Sequence, residues 1–322
     1  MPTDIKTIKK TLLSRDVLQN LITLGSLIAL IIIFSSMSEY FLTSKNMMSI
    51  LLTATSVGLI AIGQTLCLIS REFDMSVGMV AAMSGIIFTL LVKDGGWPIV
   101  AALAASIAFG FLSGSITGFC VSRLHTNSFI TTFALLHIYR GIVFILTAGM
   151  PISVSGNEAF KILGTFKVFG VIPLPVVILI VGYIIFTFIM KYTKIGRKIY
   201  CVGGNPDAAH VSGINVANVK MFSFMTVAVL ASISGVLFAS RVSSGQPFIG
   251  DMYAMDSIAA AIVGGTAMSG GKGAIWGTFI GVMIVNVIQN GLIMVGMPSF
   301  YQYIATGSIM FIAVLIQTER KK

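Results

Sequence analysis

Charged residues are scarce in this chain. They make up 10% of its 322 residues, whereas hydrophobic residues make up 56% and the mean hydropathy is +0.96. Soluble domains carry about 25% charged residues. So few polar side chains cannot cover a surface exposed to water, which excludes a soluble enzyme, a disordered chain and a nucleic-acid-binding protein of any ordinary kind. The composition is that of an integral membrane protein, with membrane lipid as its surroundings.

Cysteines and catalytic groups are also sparse. The three cysteines, Cys67, Cys120 and Cys201, form neither a disulfide framework nor a CxxC pair. The sequence shows no cluster of metal ligands and no pairing of a nucleophile with a base. We therefore expect no catalytic residue and no metal site.

One glycine-rich segment looks like a phosphate-binding loop but departs from it at two positions. In residues 265–273, Thr266 stands where the motif G-x-x-x-x-G-K-[ST] requires its first glycine, and Gly273 stands where it requires a hydroxyl. We expect the chain to bind no ATP or Mg²⁺ itself. An ATP-driven transporter built on it would need a separate motor protein.

What the sequence has in abundance is long apolar runs. A membrane-crossing helix needs about 20 mostly apolar residues. Cutting the chain at its charges predicts an all-α polytopic membrane protein with ten spans, the eighth being short enough to be tilted or broken. The spans are Val17–Ser38, Asn46–Ser70, Met75–Val92, Gly95–Ser122, Asn127–Ala148, Val168–Met190, Met221–Ser240, Ser257–Gly271, Ala274–Val295 and Tyr301–Gln317.

The net charge of +10 is distributed unevenly along the chain. With the N-terminus inside, the inner loops hold fifteen Lys and Arg residues, the outer loops hold five, and Arg140 lies within a span. Because cytoplasmic loops are enriched in Lys and Arg, both termini are predicted to be cytoplasmic. We interpret residues 1–322 as one integral membrane domain. Residues 1–16 form its cytoplasmic N-terminus, ahead of a retained signal anchor, and residues 191–220 form its longest cytoplasmic loop.

Two spans carry glycines at four-residue spacing, which lets helix backbones approach closely in lipid. Close packing is the main interpretation, and lining of a substrate path is the alternative. The two rows lie five spans apart, as expected for an inverted repeat of two five-helix units. They are Gly110, Gly114 and Gly118, and Gly273, Gly277 and Gly281.

The segment from Ser70 to Gly78 is polar, lies between two apolar runs and allows two interpretations. With three charges in four residues, it could be a cytoplasmic turn. It could also be a break in a helix that dips into the membrane, where Asp74 and Ser76 would cap the next helix. Irregular backbone at membrane depth faces protein or a water-filled path. The second interpretation therefore places Asp74 near a transport route.

Other polar side chains fall inside predicted spans. Arg140 could extend its side chain to an outer membrane interface or neutralise an acid such as Glu72 or Asp256. Alternatively it faces a transport route, because an embedded charge usually faces the bundle interior or a cavity. A polar helix face near the C-terminus fits either hydrogen bonds between helices or contact with a hydroxylated substrate. This face consists of Asn286, Gln289 and Asn290.

Several short motifs occur in an order that is specific, although each motif alone is weak. They are Phe73–Gly78, Phe129–Phe133, Tyr139–Gly141, Gly196–Tyr200, Val202–Asn205, Ser212–Asn215, Ala260–Thr266, Gly270–Gly273 and Gly277–Thr278. With these motifs, residues 41–315 resemble the permease subunits of bacterial ABC importers for monosaccharides, in the ribose-type branch. The residues Arg71 and Glu72 depart from this family, which usually has small residues there.

The resemblance assigns a role to the long cytoplasmic loop. Residues 205–213 look like the coupling helix of the family, which docks on the ATPase subunit. Asn205 or Asp207 could cap this helix, Pro206 suits its first turn and Gly213 could end it. We expect the small side chains Ala208 and Ala209 to permit close docking. The residues assigned to coupling are Asn205, Asp207, Ala208, Ala209, His210, Val211, Ser212 and Gly213.

The resemblance also implies partners and a path. Two permease copies would form a homodimer around a central path in the bacterial cytoplasmic membrane. Cytoplasmic ATP-binding subunits would hold ATP and Mg²⁺, and a periplasmic or lipid-anchored binding protein would deliver the sugar. Ribose is the first expectation, with xylose, arabinose, a galactoside or autoinducer-2 as alternatives. The path residues would be Phe73, Asp74, Ser76, Arg140, Gln246, Asp256 and Asn290.

A different class of transporter fits the same spans. An ion- or proton-coupled secondary transporter of a small polar solute would use an embedded charged residue as its relay. The candidates for that relay are Asp74, Asp256 and Arg140. Uptake driven by a gradient, without any ATPase, would distinguish this alternative from an ABC permease.

Overall fold

The computed structural model describes residues 15–154, 156–298, 300–308 and 311, with side chains from residue 21 onward. The described chain is mostly helical, and residues 301–308 are helical as well. The helices are α1 (Arg15–Met37), α2 (Ser44–Ile69), α3 (Val77–Lys93), α4 (Ile99–Arg123), α5 (Ser128–Thr147), α6 (Glu158–Thr165), α7 (Leu174–Tyr192), α8 (Lys194–Gly204), α9 (Pro206–Val211), α10 (Val216–Val242), α11 (Tyr253–Val263) and α12 (Ile275–Met294).

Short strands join the loops at one end of the helices. They are β1 (Ile152–Ser153), β2 (Lys167–Val168), β3 (Ile172–Pro173) and β4 (Ser244–Gly245). Strand β1 pairs antiparallel with β4, and β2 pairs antiparallel with β3. The β2–β3 hairpin occupies the start of the predicted sixth span. That span therefore begins later than expected, at Leu174, where Pro173 and Pro175 favour the first turn of a helix.

In the part of the chain that the structure describes, six helices are long and apolar enough to cross a membrane: α2, α4, α5, α7, α10 and α12. Residues 21–37 of α1, together with α3 and α11, form shorter apolar helices. The chain is thus a multi-pass helical membrane protein.

The eighth predicted span is broken, because α11 ends at Val263 and a loop follows. Residues 309–310 and 312–317 of the predicted tenth span and the charged ends at residues 1–14 and 318–322 lie outside the described residues.

The core is built on α2 and α10. In α2, 83% of the most apolar stretch is buried, against 17% in α5. Helix α10 packs against α2, α3 and α4, and a buried apolar cluster joins α2, α3, α10 and α11. Both hydroxyls of Ser84 and Ser232 are buried in the α3–α10 contact, with their oxygens 2.7 Å apart.

The glycine row of α4 lies directly against α10. A Cβ atom added to Gly114 would lie 2.6 Å from the Cα atom of Met225, and one added to Gly110 would lie 2.0 Å from the Ser232 hydroxyl. Gly118 faces Met221 in the same way. These three glycines allow the two backbones to approach, as expected where small residues line a contact between membrane helices.

The second glycine row is divided between a helix and a loop. Gly277 and Gly281 lie on α12 and pack on the backbone carbonyls of Gly264 and Ala260. Gly273 was predicted to share their span, but this prediction is wrong. It lies in the loop before α12 with a φ of 155°, a conformation that favours glycine.

Candidate functional site

Helix α3 begins inside the protein, and its first turn lies against the turn that precedes α11. A Cβ atom added to Gly78 would lie 2.0 Å from the carbonyl oxygen of Gly250, and one added to Gly250 would lie 1.9 Å from the carbonyl oxygen of Gly78. Only glycine allows two backbones to come this close. Because each helix N-terminus carries a partial positive charge, the contact brings two such ends close together.

The segment between α2 and α3 is enclosed by protein. Asp74 and Ser76 have no exposed surface, and Gln64 of α2 holds the Asp74 backbone from both sides. The Gln64 amide donates to the Asp74 carbonyl at 2.6 Å, and the Asp74 N–H donates to Gln64 Oε1 at 3.1 Å. Such enclosure favours the broken-helix interpretation over a solvent-exposed turn.

The cap of α3 differs from the expected one. Ser76 is the N-cap residue, but its side chain makes no capping hydrogen bond to the helix. Instead, Asp74 Oδ1 accepts from both the N–H and the hydroxyl of Ser76, at 2.7 and 2.6 Å. Asp74 Oδ2 is buried and has no hydrogen-bond partner among the described residues.

Arg140 forms an ion pair with Asp251, which lies just before α11. The expected partners, Glu72 and Asp256, are both wrong. Glu72 accepts from Lys220 at 2.6 Å, and the Asp256 carboxylate accepts from Gln289 at 3.2 Å.

The Arg140–Asp251 pair lies about 18 Å along α5 from the start of that helix, at a rise of about 1.5 Å per residue. Its two side chains are 34% and 42% exposed. An ion pair this far along an apolar helix is costly against lipid and usually faces a cavity or another protein surface. This face of α5 is therefore unsuited to lipid contact.

A row of aromatic rings leads along α5 to this ion pair. It consists of Phe73, Phe129, Phe133 and His137, and we name it the aromatic row. Ring centroids are 6.1 Å apart for Phe73 and Phe129, 5.7 Å for Phe129 and Phe133, and 4.7 Å for Phe133 and His137. Phe129, Phe133 and Asp251 are not among the path residues predicted from the sequence. The four-residue spacing of positions 129, 133 and 137 was the available signal.

Other predicted path residues lie elsewhere. Gln246 donates to the Ser244 hydroxyl at 3.3 Å. Asn290 exchanges amide hydrogen bonds with Asn46, at 2.9 and 3.0 Å. Asn46 lies 18 residues before Gln64, the residue that holds the Asp74 backbone, which is about 27 Å along α2. The structure thus favours hydrogen bonds between helices for Asn290 and does not bring it to Asp74. Within the described residues, no group of three His, Cys, Asp or Glu side chains could hold a metal ion.

The short helix α9 occupies the segment expected to couple to an ATPase. Asn205 Oδ1 caps it by accepting from the N–H groups of Asp207 and Ala208, at 3.0 and 3.1 Å. Pro206 is its first residue, and Gly213 follows it with a φ of 80°. These features agree with the local structure that the sequence predicts.

The exposed surface of α9 is not the expected one. Ala209 is 4% exposed and packs into the core, whereas Val211 is 87% exposed. The periodicity of the helix turns Ala209 inward, so the prediction that its side chain offers a docking surface is wrong. The side chains on the outside belong to Asp207, Ala208, His210, Val211 and Ser212.

Comparison with known proteins identifies the family. Residues 46–315 match the model of a family described as branched-chain amino acid transport system / permease component. The chain is 34% identical over 302 residues to the ribose import permease protein RbsC of Escherichia coli (strain K12), covering 93% of this chain and 94% of that protein. It is 35% identical over 319 residues to the protein of the same name from Bacillus subtilis (strain 168), covering 99% and 98%. It is 31% identical over 300 residues to the L-arabinose ABC transporter permease protein AraH of Azospirillum brasilense, covering 92% and 88%. The chain therefore belongs to this family of transport-system permease components and is a transport subunit rather than an enzyme.

Proposed function

We propose that the chain is the permease subunit of an ATP-driven importer of a ribose-like monosaccharide in a bacterial cytoplasmic membrane. The relatives are named as ribose and L-arabinose permeases. The observation that carries the proposal is the half-exposed Arg140–Asp251 pair at the end of the aromatic row. Charged groups bind sugar hydroxyls, and aromatic faces contact the apolar faces of a sugar ring. A row of weak contacts is suited to moving a sugar across the membrane, because transport requires that the sugar be released as well as bound.

A second copy of the chain would complete this path. The exposed face of α5 carries Arg140, which makes it a poor surface for lipid. In a homodimer built on this face, the two aromatic rows would line a common route. ABC permeases work with an ATPase and a binding protein. In this complex the ATPase would hold ATP and Mg²⁺, and the binding protein would select the sugar.

The proposed mechanism requires α9 to be the element that the ATPase moves. ATP must change the relative stability of the outward-open and inward-open states, since a ligand that binds both equally shifts nothing. A motor that docks on α9 in only one of its nucleotide states meets this condition. Helix α9 lies next to the chain segment that leads to Asp74, which links docking to the path.

The proposal includes one domain of ten spans, with cytoplasmic termini and an inverted repeat of five spans. Helices α3 and α11 support the repeat. They occupy the third and eighth spans, both are short, and both begin close to the Gly78–Gly250 contact. Discontinuous helices in corresponding positions of two halves are typical of transporters built from inverted repeats.

Reconstitution in proteoliposomes tests the function. The chain would be combined with its ATPase and binding protein, and uptake of labelled ribose and L-arabinose would be measured with and without ATP. We expect ATP-dependent uptake and none by the chain alone on a proton gradient. Gradient-driven uptake by the chain alone would contradict the proposal and support a secondary transporter. The unpaired, buried Asp74 Oδ2 is the observation that favours that alternative.

A further inference from the structure

Arg71 adopts a backbone conformation that suits glycine better than arginine. Its φ is 67°, and a non-glycine residue in this region costs about 1 kcal/mol or more. Its side chain is in use: Nε donates to the carbonyl of Gly203 at 2.7 Å, and Nη2 donates to the carbonyl of Gly204. These are the last two residues of α8 and directly precede Asn205, the cap of α9. The guanidinium therefore holds the chain just before α9.

The next residue, Glu72, holds the chain just after α9. Its carboxylate accepts from Lys220 Nζ at 2.6 Å, and Lys220 lies in the first turns of α10. The two side chains are only 10% and 21% exposed. A partly desolvated ion pair of this kind is strongly destabilising to break by removing one partner. Two adjacent residues thus bracket α9 from both sides.

The same segment leads directly to the buried break. Two residues after Glu72, Asp74 is held by Gln64 and Ser76, and α3 begins at Val77. Two further bonds join this region to the loop before α12: Gly271 N donates to the Ile69 carbonyl at 2.8 Å, and the Tyr200 hydroxyl donates to the Gly273 carbonyl at 2.7 Å. Burial raises the pKa of Tyr200, so its hydroxyl keeps its proton and remains a donor.

We propose that Arg71 and Glu72 form a clamp that transmits movement of α9 to residues 73–76 and so to the start of α3. This inference rests on the proposed function, because it takes α9 to be the element that the ATPase moves. The Cα atoms of the adjacent residues Arg71 and Glu72 are 3.8 Å apart, and their side chains bind the end of α8 and the start of α10. A shift of α9 relative to α8 and α10 must therefore move residues 71 and 72 or break these bonds. Arg71 and Glu72 are positioning residues here, since they act on the path through Asp74.

The clamp is tested by the ratio of sugar uptake to ATP hydrolysis, measured in the same proteoliposomes with ATPase and binding protein. The variants are Arg71→Gly, which also relieves the backbone, Glu72→Gln and Lys220→Glu. The double variant Glu72→Lys with Lys220→Glu restores the ion pair in reverse. Lys198→Gln, at an exposed lysine of α8, is the control.

We expect the single variants to assemble with the ATPase and hydrolyse ATP. Their uptake per ATP should fall about tenfold, the size of a typical coupling free energy between sites. The reversed pair should recover most of the loss, and the control should match the wild type. Unchanged uptake per ATP in the single variants would overturn the clamp while leaving the permease function standing. Failure of the reversed pair to recover, or loss of assembly in Arg71→Gly, would also overturn it. Absence of ATP-driven uptake by the wild type would instead remove the proposed function, and the clamp with it.

Discussion

Gln64 shows how a single residue can organise the site. It lies within α2 with no exposed surface, and both polar ends of its amide are used on the backbone of Asp74. This part of the chain has no helical or strand partner for those backbone groups. Because a buried polar group without a partner costs about 1–3 kcal/mol, Gln64 and the broken segment stabilise each other.

Replacing Gln64 by Met should therefore destabilise the protein. The volume is similar, but the N–H and the carbonyl of Asp74 lose their partner, so we expect a loss of about 3 kcal/mol in the free energy of unfolding. Denaturation of the purified chain in detergent would measure it. The matched control is Gln246→Met, at a half-buried glutamine with one bond of 3.3 Å to Ser244. Equal stability of the two variants would show that the Gln64 bonds contribute little.

Individual contacts were the least predictable part of the site. The sequence indicated that Arg140 is an embedded charge in need of an acid, but its partner is 111 positions away in a loop. Composition and spacing could not choose between Asp251, Glu72 and Asp256, because all three depend on how distant helices pack. In contrast, the cap of α9 depends on neighbours in sequence, and Asn205 followed by Pro206 was enough to predict it.

Among the helices, the contact of α4 with α10 depends most clearly on small residues. Gly114 faces the Met225 backbone, so an added methyl group has no flexible side chain to displace. At Gly25, in α1, no atom of the described residues lies within 4 Å of the corresponding position. A substitution at Gly25 therefore reports the intrinsic helix propensity alone, whereas one at Gly114 also reports the packing of α4 against α10.

Replacement of each glycine by alanine should change stability in opposite directions. At Gly25, alanine should stabilise the helix by about 0.5–1 kcal/mol, because glycine is the poorer helix former. At Gly114, overpacking should cost about 1–3 kcal/mol and push α4 away from α10. Thermal unfolding midpoints in one detergent would show the difference. A Gly114→Ala variant as stable as Gly25→Ala would mean that close approach is not required.

The helices were predictable from the sequence because a membrane span is specified mainly by apolar length. The residues at which the helices begin and end were less predictable. The β2–β3 hairpin replaces the first turns of the predicted sixth span, and positive φ angles at Gly270, Gly271 and Gly273 keep the loop before α12 out of the helix. Such departures arise from backbone conformations and pairings that an apolar run does not reveal.

At the scale of the whole molecule, α9 has one face for the permease and one for its surroundings. Ala209 packs among the buried side chains of α8 and α10, whereas Ala208 and Val211 lie on the outside. A permease that receives movement from a motor needs both faces, since the motor must bind one while the other passes the displacement on. Neighbouring alanines of equal size therefore have different roles.

An arginine at each of these alanines should separate docking from folding. Ala208→Arg places a long charged side chain on the exposed face, so we expect normal membrane insertion and unfolding temperature but at least a tenfold loss of ATPase co-purification, as for other central interface residues. Ala209→Arg must bury an unpaired charge, which destabilises the chain itself, so its yield in the membrane should fall before any partner is added. Co-purification with the ATPase and unfolding temperature, measured on both variants, distinguish the two effects. Full ATPase binding by Ala208→Arg would place docking elsewhere on the cytoplasmic surface, and a stable Ala209→Arg would mean that α9 is not anchored through its inner face.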